Sequence, residues 1–169
     1  MLVSLVELQD FLADAALHTY AVGGERVAPW NLGFKEIEYI RGTLRYRDSW
    51  AGSRRAPGRE VIFLLLQTPI WSRWYDGGIR PRFWGDGRLV KEAADFLKES
   101  LRYLPVERPW RRGPAFFRKG RWVYTSVVVG SMRSFVGIEW ILQLPKGVVF
   151  QQIYGGGLVV GKEVPQIVE

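Results

Sequence analysis

The chain says nearly the same thing twice. Tyr75-Asp76-Gly77-Gly78 closes one apolar run, and Tyr154-Gly155-Gly156-Gly157 closes another 79 residues later. At an offset of 78, Arg41-Gly42 falls on Lys119-Gly120, Tyr46 on Tyr124 and Gly52 on Gly130. One residue then enters the second copy, after which Gly58 falls on Gly137, Glu60 on Glu139, Ile62 on Ile141 and Trp71 on Phe150. Repetition at a fixed long period points to a duplicated structural unit.

Each copy is preceded by a helical pattern. Val90, Ala93, Ala94, Leu97, Leu101 and Leu104 recur at i, i+3, i+4, i+7, with Asp86 or Gly87 placed as the cap. Leu5, Leu8, Leu12 and Ala16 make the same stripe in the first copy, with Phe11 beside it. Strand-like runs follow. Arg41-Gly42 and Lys119-Gly120 are hairpin turns in which glycine supplies a positive φ. A second turn at Gln67-Thr68 sets Glu60 opposite Tyr75, and one at Lys146-Gly147 sets Glu139 opposite Tyr154.

Alternation then divides the side chains between two faces. Val61, Phe63, Leu65, Ile70 and Trp74, with Trp140, Leu142, Leu144, Val149 and Ile153, form the apolar set and are expected to pack beneath Leu12 and Leu97. Glu60, Ile62, Trp71, Arg73 and Tyr75, matched by Glu139, Ile141, Phe150, Gln152 and Tyr154, form a mixed set. Such a face is a wetter packing surface or the wall of a pocket. Tyr46, Tyr75, Tyr124 and Tyr154 are expected to pack with their hydroxyls at the surface. The expected fold is α+β, one domain with a pseudo-twofold axis. It is built from two helix-plus-four-antiparallel-strand units, eight strands in all. Repeat one spans 1–78, a linker 79–87, repeat two 88–158 and a C-terminal tail 159–169.

Composition narrows the chemistry. The chain has 169 residues, nearly half of them apolar, enough for a real core. It has no cysteine, so disulfides, thiolate metal sites and cysteine nucleophiles are excluded. His18 is its single histidine and sits near a helix end, where a solvated or capping role is expected. No metal site, cofactor or catalytic residue is expected. No apolar run reaches membrane-spanning length, and the start carries Glu7, Asp10 and Asp14, unlike a signal peptide. A cytoplasmic protein without membrane contact is expected. Few thermolabile residues and Pro-bearing loops fit a thermophile, although genome composition explains an arginine excess equally well.

The formal net charge is +7. Arg41, Arg45, Arg47, Arg54, Arg55 and Arg59 cluster around one hairpin, and Arg102 to Arg121 around its counterpart. Interleaved with Trp50, Trp110 and Trp122, they suit a nucleic-acid surface as well as a solvated one. The glycine runs lack phosphate-loop spacing and mark bends where a strand leaves the sheet. Asp48 has no acidic counterpart, since Ser126 holds its place. That asymmetry suits one active half and one structural half.

The ordered motifs resemble a known family. "LRYRDSWAG", "APGREVI" and "TPIWSRWYDGG" are followed by "FLKESLRYLPVERPWRRGP", "YTSVVVGSMRSFVGIEWI" and "VVFQQIYGGGL". This order, over Phe11 to Leu158, resembles the bacterial and archaeal domain-of-unknown-function family DUF5680. Tyr-Arg-Asp precedes a Gly, then come Gly-x-Glu, Pro-x-Trp and Tyr-x-Gly, an Arg-Gly-Pro element and a looser second copy. Some relatives look like the sensory part of helix-turn-helix regulators, and the resemblance implies no established activity. Where the family tends to carry acidic or amide side chains before its Tyr-x-Gly, this chain has Ser72, Arg73 and Trp74.

The expectation is a non-catalytic module that binds a small molecule or peptide-like group, anionic if Arg73 engages it. Glu60, Trp71, Arg73 and Tyr75 form the candidate site, with Glu139 and Tyr154 in its partner cluster. The stronger reading of the Glu residues is a structural lock, each bonding nearby backbone or its Tyr hydroxyl at the hairpin corner. A basic nucleic-acid-binding protein is the rival, and an enzyme using Glu and Tyr chemistry a third possibility.

Overall fold

The computed structural model describes residues 3–161 and 167–168. Most of the predicted tail, 162–166 and 169, lies outside the described residues. The fold is α+β. Two short strands, β1 (Val3–Ser4) and β11 (Ile167–Val168), pair in parallel. Helix α1 (Leu5–His18) follows, then β2 (Arg26–Val27), β3 (Lys35–Arg41), β4 (Leu44–Trp50), β5 (Gly58–Leu64) and β6 (Thr68–Ile79). After α2 (Gly87–Leu101) come β7 (Phe116–Lys119), β8 (Trp122–Ser131), β9 (Ser134–Gln143) and β10 (Gly147–Leu158). These form one nine-stranded antiparallel sheet in the order β2-β3-β4-β5-β6-β10-β9-β8-β7, not the eight strands expected.

The helices start where the sequence places them. Ser4 caps α1, accepting from the Glu7 amide at 3.1 Å while Glu7 accepts from the Ser4 amide at 2.8 Å. Asp86 caps α2 by accepting from the Leu89 amide at 3.0 Å. The hairpins turn at Gly42 and Gly120, with φ of 60° and 57°. His18 is largely exposed, bonded to the Asp14 carbonyl at 2.8 Å.

The register differs from expectation by two residues in both halves. Tyr75 lies opposite Gly58 and Tyr154 opposite Gly137, while Glu60 faces Arg73 and Glu139 faces Gln152. The turns come earlier, at 65–67 and 144–146, and each hairpin carries a bulge, at Ile62/Phe63 and Val148/Phe150. Leu65 and Leu66 adopt left-handed φ of 51° and 65°, which no sequence rule anticipates for leucine. An offset of two keeps every side chain on its assigned face.

The faces themselves are inverted. Both helices pack on the mixed set. Leu8, Phe11 and Leu12 of α1 meet Tyr46, Ile62 and Trp71, while Phe96, Leu97 and Leu101 of α2 meet Tyr124, Ile141 and Phe150. Ile70 and Val149 of the expected core set are buried, but Leu65, Trp74, Leu144 and Ile153 are exposed. The four tyrosines also depart from expectation, since all are buried with their hydroxyls inside. The inward charges tolerate this because they pair with one another across neighbouring strands.

The glycines opposite tyrosine explain the Gly-x-Glu motif. A Cβ on Gly58 would collide with the Tyr75 phenol, and one on Gly137 would stand 2.5 Å from Cζ of Tyr154. Each tyrosine ring lies across its glycine, leaving the Glu two residues on to reach the centre. Gly137→Ala is expected to destabilise the fold by about 1–3 kcal/mol through overpacking. Gly85→Ala, with nothing within 4 Å of its Cβ, should be close to neutral. Urea unfolding of the two variants checks this.

Candidate functional site

The centre of the inner face is an ion network. Glu60 and Arg73 are direct cross-strand partners, and an Arg73 Nη2 hydrogen bond joins them. Arg73 Nη1 also donates to the carbonyls of Pro109 and Trp110, 3.3 Å away each. Those carbonyls belong to the segment between α2 and β7, which crosses beneath the helices. Arg112 is its critical residue. Its Nη1 donates to Glu60 Oε1 at 2.8 Å, and its Nε stands 3.4 Å from Glu139 Oε1. Glu139 Oε2 accepts from the Tyr124 hydroxyl at 2.6 Å, and the Tyr154 hydroxyl donates to the Arg111 carbonyl at 2.8 Å. One guanidinium thus ties the first half of the sheet to the second. Burial works against the charge on Arg112, but Glu139 and Glu60 outweigh it and hold its pKa well above the ordinary value.

The segment is shaped for this contact. Arg112 adopts φ 67°, and its guanidinium lies 4.6 Å from the Tyr75 ring centroid. Gly113 must lack a side chain, because a Cβ would meet the Tyr124 hydroxyl at 2.6 Å. Pro114 offers its carbonyl to Ser126 Oγ at 2.9 Å. The Arg-Gly-Pro element is therefore a plug fitted to the sheet.

Asp48 is the odd member. Its Oδ1 accepts from the Tyr75 hydroxyl at 2.7 Å, but among the described residues no guanidinium hydrogen-bonds to it. Burial, and then the Glu60 charge, push its carboxyl up to about 7, against the opposing pull of Tyr75, Arg112 and Arg73. Asp48 lines two cavities together with Arg112. One, about 30 Å³, also touches Tyr46, Glu60 and Arg73. The other, about 70 Å³, runs beneath α2 to the connection between β4 and β5. Its apolar walls include Trp50, Leu97 and Phe150, its polar end holds Asp48, Tyr75, Arg112 and Gln152, and Ser53, Arg54 and Ala56 border it. Gln152 is 4 % exposed and its Nε2 has no hydrogen-bond acceptor. A buried amide donor without a partner costs free energy until something accepts from it.

The six residues singled out from sequence all lie on the inner face, and all are buried. Glu60, Arg73 and Glu139 join the ion network. Trp71 stays outside it, donating to the Met132 carbonyl at 3.2 Å and stacking on Phe135. Tyr75 borders the larger cavity. Tyr154 packs over Gly137 and holds the plug. Sequence reasoning missed Arg112, which it counted among surface cations. The available signal was the Arg-Arg-Gly-Pro run, at 111–114, too irregular for a helix and too basic for a core. Among the described residues no group of three or more His, Cys, Asp or Glu side chains is arranged to hold a metal ion.

The chain belongs to the family described as a domain of unknown function, DUF5680, whose model matches residues 48–159. The match begins at Asp48 and spans the plug and every member of the central ion network. No curated protein and no solved structure matches the chain. No helix of the structure is long and apolar enough to cross a membrane.

Two expected outcomes follow from this geometry. Arg112→Met leaves Glu60 and Glu139 buried without their shared cation, and should cost about 3–5 kcal/mol in urea unfolding. Asp48 governs the pH dependence. Its carboxyl binds a proton more tightly folded, near pH 7, than at the ordinary value of 3.8. Its contribution is therefore full below about pH 4 and lost as pH rises through about 7, a change on the order of 2–4 kcal/mol. The urea midpoint should fall from pH 5 to pH 8, and Asp48→Asn should flatten that decline.

Proposed function

We propose that the chain is a non-catalytic binding module for a small, uncharged molecule bearing an amide-like edge, seated in the cavity between α2 and the sheet. The observation that carries this reading is the pairing of Gln152 and Asp48 along one cavity. Gln152 Nε2 lacks an acceptor, and Asp48 carries a carboxyl without a hydrogen-bonded cation. A carboxamide or lactam edge accepts from the first and donates to the second. Trp50, Leu97 and Phe150 provide the apolar walls for its body.

Charge argues for a neutral ligand. Arg73 and Arg112 are already held by Glu60 and Glu139, so neither is free to take an anion. This replaces the anionic ligand inferred from Arg73 alone. The arginine-rich hairpins likewise offer less open charge than their count implies. Arg41 pairs with Asp10 and Asp14, Arg47 with Glu36 and Glu38, and Arg55 with Asp76. These pairs support the small-molecule reading over a nucleic-acid surface.

We also infer that the halves are copies of one unit, and that the site joins Asp48 of the first copy to Gln152 of the second. The supporting observations are registers. Tyr46 faces Ile62 as Tyr124 faces Ile141, Asp48 faces Glu60 as Ser126 faces Glu139, and β6 meets β10 with Tyr75 opposite Tyr154. Ser126 is committed to the Pro114 carbonyl, whereas Asp48 borders open space.

The test is thermal unfolding with three probes of one size: isobutyramide, isobutyrate and isobutylammonium. Isobutyramide near saturation should raise Tm by about 3 °C, the two ions should not, and Gln152→Leu should abolish the shift. Equal shifts from the ions, no shift from the amide, or a shift unchanged by Gln152→Leu would overturn the reading.

A further inference from the structure

Both helices pack on the inner face of the sheet, and its outer face carries unbroken apolar rows. Val129, Val136, Gly155 and Trp74 are successive cross-strand neighbours over β8, β9, β10 and β6. Val127, Ile138 and Ile153 form the next row. These are not glancing exposures: Val129 is 69 % exposed, Val136 56 %, Val127 55 % and Trp74 46 %. Trp74 lies flat on Gly155, whose added Cβ would meet the indole at 3.0 Å, so the row presents a broad, level surface. Arg59, opposite Trp74, and the Arg55–Asp76 pair stand at the border.

We infer that this face is a homodimer interface, in which the outer faces of two copies of the chain stack sheet on sheet. Contiguous exposed apolar surface of this kind marks an interaction site. The occupant follows from area, and charge permits it. β6 and β10 have 12 residues each, β8 and β9 have 10 each. At about 3.3 Å per residue and about 4.8 Å between strands, they cover roughly 600 Å² in projection. The accessible surface of a corrugated face is larger, close to the ~800 Å² that each partner contributes to a standard interface.

Charge does not bar a second copy at this face. Each chain carries a formal net charge of +7, so copies repel one another over most of their surface. The seven residues of the rows are uncharged, and the charges that continue them, Asp76 opposite Ile153 and Arg59 opposite Trp74, lie at one end, with Asp76 paired to Arg55. A twofold axis through the patch makes the contact isologous, each row meeting a row of the same chemistry. Packed sheets stand about 10 Å apart, a separation that a level face of valine, isoleucine and tryptophan side chains suits.

The experiment is sedimentation equilibrium of the full chain at micromolar concentration, with cysteine cross-linking. The wild type should weigh twice 19.4 kDa. Val136→Glu should lose the dimer while keeping its far-ultraviolet dichroism, and Leu32→Glu, on an exposed loop away from the rows, should remain dimeric. The chain has no cysteine of its own, so single Val136→Cys and Ile153→Cys variants report cleanly even if the glutamate variant does not fold. Under mild oxidation one of them should form a disulfide-linked dimer faster than Leu32→Cys. A monomeric wild type, a dimer indifferent to Val136→Glu, or cross-linking no faster than the Leu32→Cys control would overturn the inference.

Discussion

Everything in the fold's interior leans on one cation, Arg112. Glu60 and Glu139 point inward from opposite halves of the sheet, toward helices that offer them mostly apolar side chains. Buried carboxylates of this kind are tolerated only when paired and hydrogen-bonded. Arg112 reaches both, and Arg73 supports the first. The demand that a guanidinium arrive at that point explains features otherwise unrelated: the left-handed φ of Arg112, the bare Gly113, and the backbone carbonyls of 109–111 offered to Arg73 and Tyr154. It also explains why tyrosines lie across glycines, since any other residue at 58 or 137 would lift the ring.

The network is not fully satisfied, since Glu139 Oε1 and the Nε atoms of Arg73 and Arg112 lack hydrogen-bond partners. Tyr124 and Ser126 add hydrogen bonds in the second half. Asp48 adds a third carboxyl where two guanidiniums stand, and Gln152, from the second half, leaves a donor idle on the same cavity. Local violations of good packing and polar satisfaction are expected where a structure has been kept for something other than stability. The cavity beneath α2 gathers two of them, at Arg112 and Gln152. On the far side of the same sheet, Val127, Val129, Val136, Trp74 and Ile153 face outward.

Much of this was legible from residues alone, and the failures are instructive. The stripe from Val90 to Leu101, the Asp86 cap and the glycine turns at 42 and 120 emerge where the pattern puts them, because they depend on neighbours within a few positions. The division of β5, β6, β9 and β10 into two faces also holds, because alternation is local. Which face is inside is not local. Val61, Phe63 and Trp140 look more like core than Glu60, Arg73 and Gln152, and only the ion pairing reverses that choice. Two of its contributors, Arg112 and Glu139, come from elements far from Glu60 in sequence. In the first hairpin the register differs by two because Leu65 and Leu66 take a conformation that leucine seldom adopts. Arg112 sat in an aperiodic basic run, where charge normally signals solvent.

Asp48 is a carboxyl kept short of a counterion inside a charged network. Carbon-13 titration of its carboxyl, assigned by the signal lost in Asp48→Asn, tests this most directly. A midpoint near pH 7 is expected in the folded protein. A midpoint in the ordinary aspartate range, around pH 4, would show the carboxylate to be fully compensated and would overturn that description of the site.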